Sequence, residues 1–179
     1  MAQRMAVMAA VVLGLMTSAG IGAYVAAPAR GEGWQDIAWP FPRDGWPPGR
    51  AYRCAATSCG ADMELYVRPK IGFCNCDSGV ADDDEIDRVA DLDLISPSFR
   101  PLHKGDVVQI ANMPGRARSY DLADGTLRHA VGMAVSRKCD LMVAVVQGHA
   151  GAPELQHRAM EHLASKQSAD WIRWAMTGE

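Results

Sequence analysis

The chain has 179 residues, 49% of them hydrophobic and 22% charged, with a formal net charge of −3. Length and apolar content suit one domain with accessory segments and exclude a wholly disordered chain. The near-neutral balance argues against a nucleic-acid partner, and a single membrane-compatible stretch excludes a polytopic channel or transporter.

Residues 5–29 form a run of 25 uncharged residues, preceded by Arg4 and closed by Arg30. Its first half is mostly Ala, Val, Met and Leu, the composition of an export signal's apolar region. Ala27-Pro28-Ala29 supplies the small-x-small pattern for cleavage after Ala29. Left uncut, the segment spans roughly 37 Å as a helix, enough to cross a hydrocarbon core of about 30 Å. Residues 1–29 are therefore a signal peptide or a membrane anchor. Either places the remainder outside the cytoplasm, in the periplasm or tethered at the inner membrane facing it.

Residues 30–50 read as a linker or arm. Pro40, Pro42, Pro47 and Pro48 with Gly31, Gly33, Gly45 and Gly49 are too many breakers for a helix or an interior strand. Trp34, Trp39, Phe41 and Trp46 are interleaved with them, so the arm is expected to lie across the domain and bury its rings, with a membrane-interface belt as the alternative.

The globular part is expected over residues 51–179. Met63, Leu65 and Val67 alternate with Glu64, Tyr66 and Arg68, predicting a half-buried strand interrupted by Pro69 and Gly72. Val107, Val108 and Ile110 follow the turn signal Gly105-Asp106. Pro114-Gly115 is then expected to turn the chain into a polar strand ending near Leu122, and Asp124-Gly125 is a hairpin signal. Residues 130–136 alternate again, and the continuous apolar run 141–146 predicts a central strand covered on both faces. Short connections favour antiparallel pairing.

Two helical stretches stand out. Asp82, Asp83, Asp84 and Glu85 crowd the start of one, where negative charge suits the helix dipole, and Ile86, Val89 and Ala90 follow at helical spacing. Leu155, Ala159 and Leu163 stack in another after Pro153, with Ser168 read as the cap of a last segment carrying Trp171, Ile172 and Ala175. The fold class expected is α+β, an antiparallel sheet with packing helices, preceded by the apolar N-terminal helix.

The cysteines carry the most chemistry. Cys54, Cys59, Cys74 and Cys76 cluster as C-x4-C and C-x-C, while Cys139 stands alone. Outside the cytoplasm such a cluster reads first as disulfides. Cys74 and Cys76 are badly placed to bond each other along a strand, so cross-links between the two segments are expected, each contributing about 3 kcal/mol. No cofactor is expected on this reading. The alternative is copper or zinc held by Cys74 and Cys76 with Met63 as a further soft ligand (Met113 being a second option), or thiol exchange at the C-x-C pair.

Residues 77–93 hold eight acids and one base, while residues 100–138 hold seven bases and three acids. An EF-hand loop does not fit the acidic run, which predicts a capped, solvated helix start. The basic stretch is either a docking face or an intramolecular counterpart. Catalysis finds little support. His103, His129, His149, His157 and His162 are scattered, and no G-x-S-x-G, P-loop, H-E-x-x-H or C-x-x-C occurs. A Cys139–His129 dyad across neighbouring strands is the one arrangement that suggests itself.

The segment Tyr66-Val67-Arg68-Pro69-Lys70-Ile71-Gly72-Phe73-Cys74-Asn75-Cys76 resembles one found in small exported bacterial proteins, a resemblance that brings no activity with it. The order of elements over residues 107–163 resembles the PsbP/Mog1-like α+β sandwich, which implies a fold and nothing further. These readings converge on an exported, disulfide-stabilised binding or accessory domain of the bacterial envelope, non-enzymatic and acting on an envelope protein partner. If uncleaved, the N-terminal segment holds it to the membrane. The alternative is a periplasmic copper- or thiol-handling protein using Cys74 and Cys76.

Overall fold

The computed structural model describes residues 33–73, 78–123 and 128–178. The apolar segment 1–29, the Cys74 and Cys76 pair and the Asp124-Gly125 signal lie outside the described residues. Among those described, eight strands form one sheet in which every pairing is antiparallel. They are β1 (Trp34–Ile37), β2 (Arg50–Cys54), β3 (Met63–Lys70), β4 (Phe99–Pro101), β5 (Asp106–Ile110), β6 (Met113–Leu122), β7 (Arg128–Arg137) and β8 (Asp140–Gly148). The order is β1-β2-β3-β8-β7-β6-β4, with β5 pairing the other half of β6. The helices are α1 (Ala56–Cys59), α2 (Asp83–Val89), α3 (Ala152–Leu163) and α4 (Lys166–Thr177). The architecture is α+β, and none of these helices is long and apolar enough to cross a membrane.

The apolar run in β8 occupies the middle of the sheet, with Met142, Ala144 and Val146 in one core and Leu141, Val143 and Val145 in the other. The first core packs the sheet against α3 and α4 through Leu155, Ala159, Leu163, Ile172 and Met176. Each large side chain so buried stabilises by about 2 kcal/mol. The second core packs α2 through Ile86 and Val89. Asp82 caps α2 as expected, its side chain accepting the Glu85 N–H at 2.9 Å. α4 is capped one turn earlier than expected. Ser165 accepts the Ser168 N–H, while Ser168 sits inside the helix and reaches His162.

Three strand expectations change. The turn falls at Ala111-Asn112, both at positive φ (49° and 66°), a two-residue hairpin between Ile110 and Met113. Pro114-Gly115 is consequently inside β6, where Pro114 pairs with β5 while the β7 ladder starts only at Gly115. Pro69 likewise stays in β3, because β2 pairing has already ended at Val67 and that stretch has a neighbour on one side alone. And β3 is buried on both faces, Tyr66, Arg68 and Lys70 being at most 6% exposed.

What covers that second face is the arm. The sheet begins at Trp34 rather than at Ala51: β1 pairs with β2 as an edge strand, the place where flanking breakers do least harm. Gly33 packs on Cys54 and Ser58, where a Cβ would come within 2.9 Å of sulfur, and Gly49 crosses β3 so closely that a Cβ would lie 2.0 Å from the Val67 carbonyl. Trp39 and Phe41 pack edge-on against Tyr66 at 6.1 and 4.7 Å, and Trp46 lies 6.2 Å from Phe73. Arg68 donates two bonds to Asp44 at 2.9 and 2.7 Å and one to Asp91 at 2.6 Å. Lys70 pairs with Asp91 at 2.6 Å and donates to the Val89 carbonyl. Two cations and two carboxylates thus close on one another beneath the arm, as a desolvated charge requires.

The acidic run finds its counterpart within the chain. Asp83 accepts from Arg116 and from the Gly105 N–H, and Asp87 accepts from Arg118 at 2.6 Å and Tyr120 at 2.7 Å. α2 is thereby clamped to β6.

Two predictions follow from these contacts. Asp44→Ala is expected to lower stability by about 2–3 kcal/mol in urea unfolding at neutral pH. The Arg68 guanidinium holds the Asp44 carboxyl down to about 2, below its ordinary 3.8. That stabilisation is present above the ordinary value and lost as pH falls toward 2, so the difference between variant and wild type should vanish there. His162 is 9% exposed between Trp34 and Tyr52, and its Nδ1 has no hydrogen-bond partner. Burial holds the imidazole below its ordinary 6.5, against the opposing pull of Asp36. The unfolded chain therefore takes up the proton first, and stability should fall as pH drops through 6.5. His162→Leu should flatten the stability profile between about pH 7 and about pH 5.

Candidate functional site

Beyond the aromatic rings of the arm, the same sheet face continues into an uncovered polar recess of about 410 Å³. Its floor is a row running across four strands. Arg53 on β2 faces Glu64 on β3, Glu64 faces Gln147 on β8, and Arg128 on β7 stands two residues before Gln147's partner Ala130. Alternation puts all four side chains on one face.

The row is hydrogen-bonded end to end. Arg53 donates Nε and Nη2 to Glu64 Oε1 at 3.0 and 2.7 Å. Glu64 Oε2 accepts the Tyr66 hydroxyl and, at 3.2 Å, Gln147 Nε2. Gln147 Oε1 accepts from Arg128 Nη1 at 2.9 Å. Gln147 is 7% and Tyr66 6% exposed, so the centre of the row is part of the protein interior. Burial pushes the Glu64 carboxyl upward, but the bonds from Tyr66, Arg53 and Gln147 outweigh it and hold the group below its ordinary value. Burial, then the Glu64 carboxylate, push the Tyr66 hydroxyl well above its usual range. At neutral pH the floor therefore holds an ionised Glu64 and a protonated Tyr66.

The turn after α1 leads into the recess. Cys54 and Cys59 are bonded to each other, so the C-x4-C segment closes on itself instead of cross-linking to Cys74 or Cys76. A single helical turn from Ala56 brings Cys59 back over Cys54, burying both sulfurs in the core. The shorter loop contributes about 2 kcal/mol in the chain-entropy model, less than the longer links expected. Asp62 then anchors the turn by accepting the Ala56 N–H at 2.9 Å, and Asp62 and Met63 line the recess with His149 opposite.

The other sequence candidates fall elsewhere. Cys139 is itself disulfide-bonded, so it is neither alone nor a nucleophile. It lies at the turn joining β7 to β8, whereas His129 lies at the far end of β7, roughly 27 Å away, paired to Asp121 at 2.9 Å. The dyad is not formed. Met63 is 1% exposed at the start of β3, and Cys74 and Cys76, the ligands read with it, lie outside the described residues. Met113 sits at the opposite end of the sheet from Met63. Among the described residues no three His, Cys, Asp or Glu are grouped to hold a metal. A second hollow of about 500 Å³ lies between α3 and β5–β6, but Arg118 on its wall is committed to Asp87.

Of the recess residues the sequence marked Glu64 as outward-facing, Met63 as a possible soft ligand and His149 as one of the scattered histidines. Gln147 carried a usable signal, since it ends an apolar run in a strand buried on both faces. Arg53 and Arg128 carried none, because their convergence depends on strand order.

No family model matches the chain, and no curated protein does. Among solved structures it is similar to the solution structure of cyanobacterial PsbP from Synechocystis sp. PCC 6803. The identity is 12%, 73% of this chain and 77% of that one are covered, and the TM-score is 0.43.

Glu64→Ala leaves the buried Gln147 amide and Tyr66 hydroxyl without their shared acceptor and should cost about 2–3 kcal/mol. Tyr66→Phe removes one donor and should cost about 1 kcal/mol, both measured by urea unfolding.

Proposed function

We propose that this chain is an exported, non-enzymatic binding domain of the bacterial cell envelope that serves as accessory to an envelope protein partner, with the polar recess as its binding site. The observation that carries this is the buried Cys54–Cys59 bond, which closes the turn leading to Asp62 and Met63 beside a row of bonded polar side chains. A prearranged floor and a stapled adjoining turn are what a binding site needs to lose little entropy on association. Oxidised cysteines belong to the periplasm and other oxidising compartments, and the uncharged run after Arg4 supplies the route there. That run, if retained, also tethers the domain at the inner membrane, facing the periplasm.

Thiol alkylation of protein from the cell envelope, denatured without reductant and read by intact mass, tests this assignment. With five cysteines, Cys54, Cys59 and Cys139 being oxidised, one alkylated thiol and no retained metal are expected. Three or more reactive thiols, or a native mass heavier by a copper or zinc ion, would favour metal or thiol handling by Cys74 and Cys76 instead. A photo-reactive residue at His149, on the recess rim, should form an adduct with an envelope protein in cells, and Arg128→Glu should abolish it.

A further inference from the structure

His162 on α3 is buried against three other elements. Its ring lies 5.4 Å from that of Trp34 on β1 and 4.3 Å from that of Tyr52 on β2, and its Nε2 meets the Ser168 hydroxyl of α4 at 3.3 Å. Nδ1 has no hydrogen-bond partner. A protonated imidazole carries an N–H on both nitrogens, so the charged ring holds a buried donor with nothing to receive it. The charges around it give little relief. On α3, Arg158 is tied to Glu154 and Glu161, and His157 lies 3.6 Å from Glu161. On α4, Asp170 is shared by Lys166 and Arg173. On β2, Arg53 is held by Glu64, and Arg50 stands beside the Tyr52 hydroxyl as a like charge. Asp36 of β1 pulls the other way, but its attraction is weaker than the effect of burial.

Of the elements that enclose this ring, β1 is the one that can yield. It has four residues, pairs with β2 alone and ends the sheet. By contrast β2 is paired on both sides, and α3 and α4 hold the sheet through Leu155, Leu163 and Ile172. Moving Trp34 aside brings water to Nδ1 and sacrifices only one short edge ladder. We propose that β1 is an acid-released strand: protonation of His162 parts Trp34 from the imidazole and β1 from β2, while the rest of the sheet stays closed. The release reaches the recess, because Trp34 pairs with Cys54 and Gln35 with Arg53 at its edge. Gly33 packs on Cys54 and Ser58, so the tether of the proposed function departs beside the recess. Docked, β1 holds that end of the sheet toward the membrane; released, it lets the domain turn. This consequence rests on the binding-domain reading, whereas the release of the strand does not.

Amide hydrogen exchange, followed by NMR on the purified full-length chain, tests the release. Expressed as protection factors, the β1 amides should lose about tenfold or more between about pH 7 and about pH 5, while those of β7 and β8 keep theirs. His162→Leu and His162→Gln should each remove this pH dependence. Asp36→Asn takes away the opposing attraction and should deepen the loss at the acid end. Protection of β1 that ignores pH, that falls together with β7 and β8, or that falls equally in both His162 variants would overturn the proposal, as would protection restored by Asp36→Asn. The consequence for the recess is read separately, from the His149 adduct at about pH 5, which should fade in wild type and persist in His162→Leu. An adduct that ignores pH although β1 is released refutes the coupling to the recess alone. If no adduct forms at any pH, the binding-domain reading fails, and exchange still decides the strand.

Discussion

Arg68 is 3% exposed in the middle of a sheet face, and a guanidinium cannot remain there without partners. Its three bonds to Asp44 and Asp91 join segments that sequence keeps far apart: the Pro/Trp arm, β3, and the residue that follows α2. Asp91 holds a left-handed backbone at φ 56°, a conformation aspartate accepts more readily than most residues, and shares its second oxygen with Lys70. The arm has little regular structure of its own beyond β1. It is held by this charge cluster and by ring contacts of Trp39 and Phe41 with Tyr66. Without the cluster, β3 would present two buried cations to an unfilled groove.

The recess depends on the same constraint. Tyr66 is the shared boundary, its ring packed by the arm and its hydroxyl donated to Glu64. One side chain therefore couples the covered half of the face to the open half. On the opposite face α3 and α4 bury the sheet with largely aliphatic packing, in which His162 and Ser168 are the buried polar groups. The division of labour is clear: one face gives stability and the other arranges charge. Arg116 and Arg118 extend that arrangement by binding the acids of α2, so the acidic and basic stretches of the sequence neutralise each other within the domain.

Much of the framework was legible from residue patterns. The apolar run of β8 read as a central strand because only a strand covered on both faces carries no polar alternation. The acid-rich start of α2 read as a helix because capping chemistry is local. Failures came where the deciding contact was distant. The alternation in β3 looked half-buried because its polar face is covered by residues some twenty positions earlier, and an arginine paired under a loop looks like any surface arginine. The Ala111-Asn112 turn was hidden behind the stronger signal of Pro114-Gly115, which a one-sided ladder tolerates inside β6. Cross-links to the C-x-C pair were expected in place of Cys54–Cys59, because the one-turn helix that folds Cys59 back carries no amphipathic period. The recess was least legible of all, since a row across four strands has no signature along the chain.

The solvent-exchange rate of the Arg68 Nε proton, measured by NMR on the labelled protein, tests the central constraint most directly. Buried and bonded to Asp91, it should exchange at least about tenfold more slowly than the Nε proton of Arg53, whose side chain is 61% exposed. An Arg68 proton that exchanges as fast as that of Arg53 would mean that the arm does not close over β3, and the account of this face would be wrong.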